Sequence, residues 1–183
     1  MNLVIPVRDN IELRLLKSED AEALFNEVSS NKEYLREWLA WVDEDKMVED
    51  TKKYIEASLK RFEEKEGIDF QIWEGDRMIG GIGMYPIDNV HKKTSLGYWL
   101  GEDSQGKGIM TDCLKKVIEY AFKDLKLNRI QITCGVGNKK SLALPQRLGF
   151  TFEGVLRQSE WLSDHFSDSE VYSLLSSEWR SET

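Results

Sequence analysis

One stretch, Ser104-Gln105-Gly106-Lys107-Gly108-Ile109-Met110-Thr111, joins an alternating apolar run to a long amphipathic one through spaced glycines. Glycines let a main chain turn tightly and approach a ligand, and the free N–H groups of a helix's first turn point outward with the helix dipole behind them. A phosphate or pyrophosphate suits such a place, although an ordinary tight strand-to-helix turn can be spelled the same way. The chain has two histidines. His91 lies in a charged turn with Lys92 and Lys93, and His165 in a polar loop with Asp164 and Asp168. Imidazole is a common general acid and base, but segments of this kind usually keep a histidine in solvent. Cys113 and Cys134 lack metal-ligand spacing and read as small core residues. The chain contains neither a G-x-x-x-x-G-K-[ST] phosphate loop nor a G-x-S-x-G nucleophile elbow, and Gly80-Gly81-Ile82-Gly83 lacks the strand-turn-helix setting of a dinucleotide fingerprint.

The elements that must hold the glycine stretch follow from hydrophobic periodicity. Ile11 to Leu16 alternates as a strand, and Ser18 then N-caps a helix running to about Ser29. Asn31 to Trp41 places Tyr34, Leu35, Trp38, Leu39 and Trp41 at helical spacing, and Val48 to Glu66 continues the pattern between charges. From residue 68 the period shifts to two. Ile68 to Glu74, Met78 to Ile87 and Thr94 to Leu100 form an antiparallel meander, with the Gly75-Asp76-Arg77 turn joining the first pair. After the glycine stretch a helix runs to about Leu125, with Ile109, Cys113, Val117 and Ala121 on one face. Arg129 to Gly135 alternates again, and a strand reached by a helical crossover lies parallel to the strand before it. A helix from Lys139 to Leu148, interrupted by Pro145, and strands at Thr151 to Ser159 and Glu170 to Ser176 complete an α+β chain.

A length of 183 residues suits one domain spanning 1–183. The composition, 40% hydrophobic and 32% charged, is that of a globular protein; no apolar run reaches the roughly 18 residues of a membrane span, and no membrane association is expected. The first ten residues lack the features of a signal peptide, so a cytoplasmic location is expected. A net charge of -8 argues against direct nucleic-acid binding. The acidity gathers at Asp43, Glu44, Asp45, Glu49 and Asp50, where it is either a solvated face or a rim that steers a cationic substrate.

Several runs taken together resemble the GNAT superfamily of CoA-dependent N-acetyltransferases: Tyr98-Trp99-Leu100, Gln105-Gly106-Lys107-Gly108-Ile109-Met110-Thr111, Asn138-Lys139-Lys140-Ser141 and Arg147-Leu148-Gly149-Phe150. Met110 departs from the family's loop pattern, which ends in glycine or alanine. Tyr34 to Trp41, Gly97-Tyr98-Trp99 and Glu153-Gly154-x-x-Arg157 are similar to the Rim-type branch that acetylates N-terminal amines of ribosomal proteins.

The resemblance implies a mixed, mostly antiparallel, splayed seven-stranded sheet flanked by helices, with acetyl-CoA as co-substrate and no metal. It implies that the amides of residues 106–111 and Gln105 receive the pyrophosphate, with Lys107 as an added charge, and that pantetheine lies between the strands ending near Leu100 and Gly135. A main-chain N–H near Leu100 would stabilise the oxyanion, and Asn138 would bond the pantetheine arm. Ser141 either starts its helix or protonates the departing thiolate. Glu160 is either a surface residue at a strand end or the general base, and it ranks ahead of both histidines. Tyr34, Trp38 and Trp41 either pack as core or line the acceptor pocket. The expected acceptor is a protein N-terminus, that of a ribosomal protein first. A polyamine or amino-antibiotic acetyltransferase and a catalytically silent acyl-CoA sensor are the alternatives, and a homo-oligomer is compatible with the splayed sheet.

Overall fold

The computed structural model describes residues 3–43, 47–162 and 164–180. Among the described residues eight strands form one sheet: β1 (Val4–Arg8), β2 (Ile11–Leu15), β3 (Ile68–Glu74), β4 (Arg77–Met84), β5 (Lys93–Leu100), β6 (Arg129–Gly135), β7 (Thr151–Leu162) and β8 (His165–Leu175). Five helices accompany them: α1 (Ala21–Ser30), α2 (Lys32–Leu35), α3 (Val48–Glu63), α4 (Ile109–Lys123) and α5 (Lys139–Arg147). The spatial order is β1-β2-β3-β4-β5-β6-β8-β7, and every neighbouring pair is antiparallel except β5 and β6.

The sheet therefore has one strand more than the seven expected. The addition, β1, carries Pro6, which argues against a strand in sequence; at a sheet edge its missing N–H costs no ladder bond, and the register shifts beside it. Other boundaries moved, among them the end of the strand expected at Met78 to Ile87, which stops at Met84. Residues 31–41 supply only the short α2, followed by turns and a 3₁₀ segment at Ala40–Asp43. Ser18 lies in a 3₁₀ turn instead of capping α1, and the Asp20 carboxylate accepts from Lys17 N at 2.8 Å. The last hairpin is longer at its tip than expected, so His165 begins β8 instead of sitting in a loop.

Two apolar clusters sandwich the sheet. On one face α4 buries Ile109, Cys113, Leu114, Val117, Ile118 and Ala121 against Phe70, Ile72, Leu96, Ile130 and Ile132. On the other, α1 and α3 pack Leu24, Val28 and Ile55 against Trp73 and Met78, with Trp99 partly buried beside them. Strand alternation thus sends Leu96, Tyr98 and Leu100 to the α4 face and Gly97 and Trp99 to the α1/α3 face.

The parallel pairing of β5 and β6 runs only from Lys93 opposite Arg129 to Leu96 opposite Ile132. Beyond it Gly97 to Leu100 stay with β4, while Thr133 to Gly135 stay with β8. The two central strands splay, and a slot opens through the sheet.

Candidate active site

Main-chain direction shows what the slot offers. Tyr85 N donates to Ser95 O and Gly101 N to Ile79 O, so the odd-numbered residues of β5 spend their polar groups on β4. By alternation Tyr98 and Leu100 present theirs to the slot, where β6 no longer pairs. On β6, Val136 N donates to Asp168 O, which leaves the Thr133 and Gly135 N–H groups on the slot side. An extended chain between the strands finds main-chain partners on both walls.

The glycine loop closes one end. Gly106 and Gly108 have φ of 72° and 76°, the left-handed region that favours glycine, and Gly108 is the N-cap of α4. Asp112 N donates to Gly108 O at 3.1 Å, so the amides of residues 109–111 precede the helix's own ladder. Gln105, Gly106, Gly108, Ile109, Met110 and Thr111 line the cleft, which has a volume of about 850 Å³. Lys107 does not line it; the Lys107 carbonyl accepts from Arg8 Nη2 at 2.8 Å instead. Met110 is buried in the core, so its departure from the family pattern costs the loop nothing.

Two basic residues on the cleft wall, quoted in the family signatures, were given no site role by the sequence reading. Lys140 donates to Gln105 Oε1 at 3.0 Å, and Arg147 donates to Thr111 Oγ1 at 3.1 Å. Their signal was the seven-residue spacing that puts 140 and 147 on one side of a helix.

Asn138 and Ser141 divide their tasks. The Asn138 Oδ1 accepts from Ser141 N at 3.0 Å and caps α5, which frees the Ser141 hydroxyl from capping. That hydroxyl lies 3.3 Å from Tyr98 Oη and 3.3 Å from Cys134 Sγ, on the α4 face of the slot. Cys134 is therefore buried at the cleft wall, not simply in core; burial is the main reason its thiol is pushed above the ordinary value. Cys113 is core as expected, its thiol pushed up to about 12 by burial.

Glu160 stands on the opposite face. Between Leu156 and Glu160, β7 takes four residue steps while β8 takes two, and a bulge of this kind re-aims side chains. Gln158, at φ 51°, turns the chain there, and its N–H donates to Asp168 Oδ1 at 2.7 Å. Glu160 lies opposite Ser167, whose Oγ is 3.8 Å from where a Cβ on Gly135 would stand; Trp38 approaches that same point at 3.4 Å. Glu160 lines the cleft, and desolvation there raises its carboxyl pKa.

Tyr34, Trp38 and Trp41 also line the cleft. Trp41 meets Trp99 edge-on at 6.3 Å, and the Lys140 ammonium lies 5.3 Å from the Tyr34 ring centre. His165 bonds Asp164 at an exposed hairpin tip, and His91 sits in an exposed turn; neither lines the cleft. In the acidic run Asp43 pairs with Lys32 and Arg36, while Glu49 and Asp50 pair with Lys52 and Lys53. Glu44 and Asp45 lie outside the described residues.

Comparison with known proteins agrees with this geometry. The Acetyltransferase (GNAT) domain model matches residues 10–151. The ribosomal-protein-serine acetyltransferase of Escherichia coli (strain K12) is 31% identical over 172 residues, which cover 94% of this chain and 96% of that protein. Among solved structures, RimL, a ribosomal L7/L12 alpha-N-protein acetyltransferase bound to coenzyme A, superposes with a TM-score of 0.92 at 29% identity, covering 94% of this chain and 98% of that one. The microcin C7 self immunity acetyltransferase MccE, in complex with acetyl-CoA and AMP, gives 0.88 at 33% identity, covering 93% and 95%. A matching domain model and a full-length relative above 30% identity place a slot of this construction in one family: the chain belongs to the GNAT acetyltransferases and is an acetyl-CoA-dependent N-acetyltransferase.

Proposed function

We propose that the chain acetylates the α-amino group of a protein N-terminus, that of a ribosomal protein first, by direct attack of the amine on the bound thioester. The observation that carries this reading is the placement of Glu160 and Ser141 on opposite faces of one slot. A base is needed where the amine enters, and an acid where the sulfur leaves.

In this reading the amides of residues 106 and 108–111 hold the pyrophosphate, with Gln105, Lys140 and Arg147 around it and Lys107 outside the cleft. The main-chain groups of Tyr98 and Leu100 and the Asn138 side chain hold the pantetheine arm, and the Leu100 N–H faces the developing oxyanion. Trp38, Trp41 and Tyr34 wall the acceptor side. The amine nitrogen bonds to the acetyl carbon and gives its proton to Glu160, directly or through water. As the C–S bond breaks, its electron pair stays on sulfur and Ser141 Oγ–H supplies the proton. The proton held by Glu160 then restores the serine hydroxyl through water as products leave.

An α-amino group suits this site. With a pKa of about 7.7 to 8.0, roughly a tenth of it is neutral near pH 7, whereas a lysine amine near 10.4 is neutral about once in 2,500 molecules. A solvent-accessible carboxylate with a raised pKa is base enough for the first. Two of the similar proteins, the serine acetyltransferase and RimL, are named for ribosomal protein acceptors, which supports the same choice. The spermidine N(1)-acetyltransferase of Escherichia coli (strain K12), 21% identical over 168 residues, supports a second reading in which the acceptor is a small amine. Thiol release from acetyl-CoA, measured with a serine-N-terminal peptide and with spermidine, separates the two. Faster turnover of the peptide is expected, and turnover of spermidine alone would select the second reading.

A further inference from the structure

We propose that Tyr98 is the residue that positions the Ser141 hydroxyl as proton donor to the leaving sulfur, an inference that rests on the reading of Ser141 given above. The sequence marked Tyr98 only as part of a strand signature. In the structure its ring reaches through the α4 face of the slot to the first turn of α5.

The proton inventory at this place is tightly constrained. Tyr98 O–H donates to the Ser141 carbonyl at 3.1 Å. A phenol has one proton, so its oxygen is then only an acceptor, and it accepts the Ser141 hydroxyl proton at 3.3 Å. Cys134 Sγ, 3.3 Å from Ser141 Oγ and 3.6 Å from Tyr98 Oη, donates its S–H to either oxygen. Tyr98 thus grips Ser141 at two points, the main-chain carbonyl and the side-chain oxygen. The Asn138 cap fixes the N–H of the same residue.

Two consequences follow for catalysis. With its carbonyl and amide both tied, Ser141 keeps its Oγ beside Cys134 and Tyr98, at the wall past which the thiol departs. When the hydroxyl turns its proton toward the sulfur, the Tyr98 oxygen is left needing a donor, and Cys134 S–H is within reach of it. The rotation strands no buried polar group, which lowers the cost of presenting the proton. Burial also pushes the Tyr98 phenol well above its usual pKa, so it stays protonated and keeps its grip over the working pH range.

The test is a comparison of Tyr98→Phe, Ser141→Ala and the double variant by steady-state kinetics, with acetyl-CoA affinity measured by calorimetry and folding by thermal melt. Tyr98→Phe is expected to lower kcat about tenfold or more, leave the acetyl-CoA Kd within about twofold, and add nothing to Ser141→Ala in the double variant, as residues acting as a unit do. Wild-type kcat for Tyr98→Phe beside a slow Ser141→Ala would overturn the role of Tyr98 and leave that of Ser141 standing. Wild-type kcat for Ser141→Ala would remove both. Parallel losses of kcat, coenzyme affinity and melting temperature in Tyr98→Phe, additive with Ser141→Ala, would reduce Tyr98 to a packing residue and also overturn the proposal.

Discussion

Glu160 keeps solvent access while the cleft wall around it raises its pKa by desolvation, a compromise that suits a base and costs the fold. In the role proposed for it the ionised form takes the proton, so kcat is expected to fall as pH drops through a value above the ordinary 4.5. Glu160→Gln should remove that limb and lower kcat about a hundredfold while acetyl-CoA affinity holds. The stability effect has the opposite sign. A carboxyl whose folded pKa is raised contributes stability below its unfolded value and loses it as pH rises through the folded one. Glu160→Gln should therefore melt higher than the parent near pH 7, with the gain shrinking toward pH 4. At this scale the sequence was partly legible. The Asn138-x-x-Ser141 spacing exposed a capped helix start with a spare hydroxyl, but Cys134 read as core because an alternating strand does not reveal where its sheet parts. Tyr98 stayed hidden for the same reason, its partners being 36 and 43 residues away.

The glycine loop and the α3 anchor show how elements hold these residues. At Gly108 a Cβ would meet only Arg8 Nη1, at 3.8 Å, so the bar to a side chain is the left-handed φ and not space. Gly108→Ala is expected to cost about 1 kcal/mol in urea unfolding and to weaken acetyl-CoA binding in calorimetry, because the amides of the first turn shift with it. On the other sheet face, buried Asp69 on β3 accepts from Tyr54 at 3.0 Å, Ser58 at 2.6 Å and Arg61 at 3.0 Å, all on α3. Asp69→Ala strips that network of its anion and should destabilise the chain by about 3 to 5 kcal/mol, read from the urea midpoint. The apolar face of α4 was legible residue by residue, since a helix period over fifteen residues admits one burial pattern. β1 was not, because Pro6 masks a strand whose edge position makes the proline harmless. Nor was the bulge that turns Glu160 inward; it depends on Gln158 N–H meeting Asp168 across the hairpin.

For the molecule as a whole, the decisive feature is that β5 and β6 pair for four residues and then part. The helical crossover already required parallel neighbours, but where their pairing stops is set by what each strand bonds on its far side. The result is one slot with Glu160, Trp38 and Trp99 on one face and Tyr98, Cys134 and Ser141 on the other, which the proposed mechanism uses as the amine side and the thiol side. Transfer across it needs only that a neutral amine arrive on one side and a thiol leave on the other. The most direct test is to incubate the protein with acetyl-CoA and a peptide bearing a free N-terminal serine and an internal lysine, and to locate the acetyl group by tandem mass spectrometry. Acetylation of the α-amine, with one thiol released per acetyl group, is the predicted result. Acetyl on the lysine alone, or none on the peptide while a small amine is turned over, would contradict it.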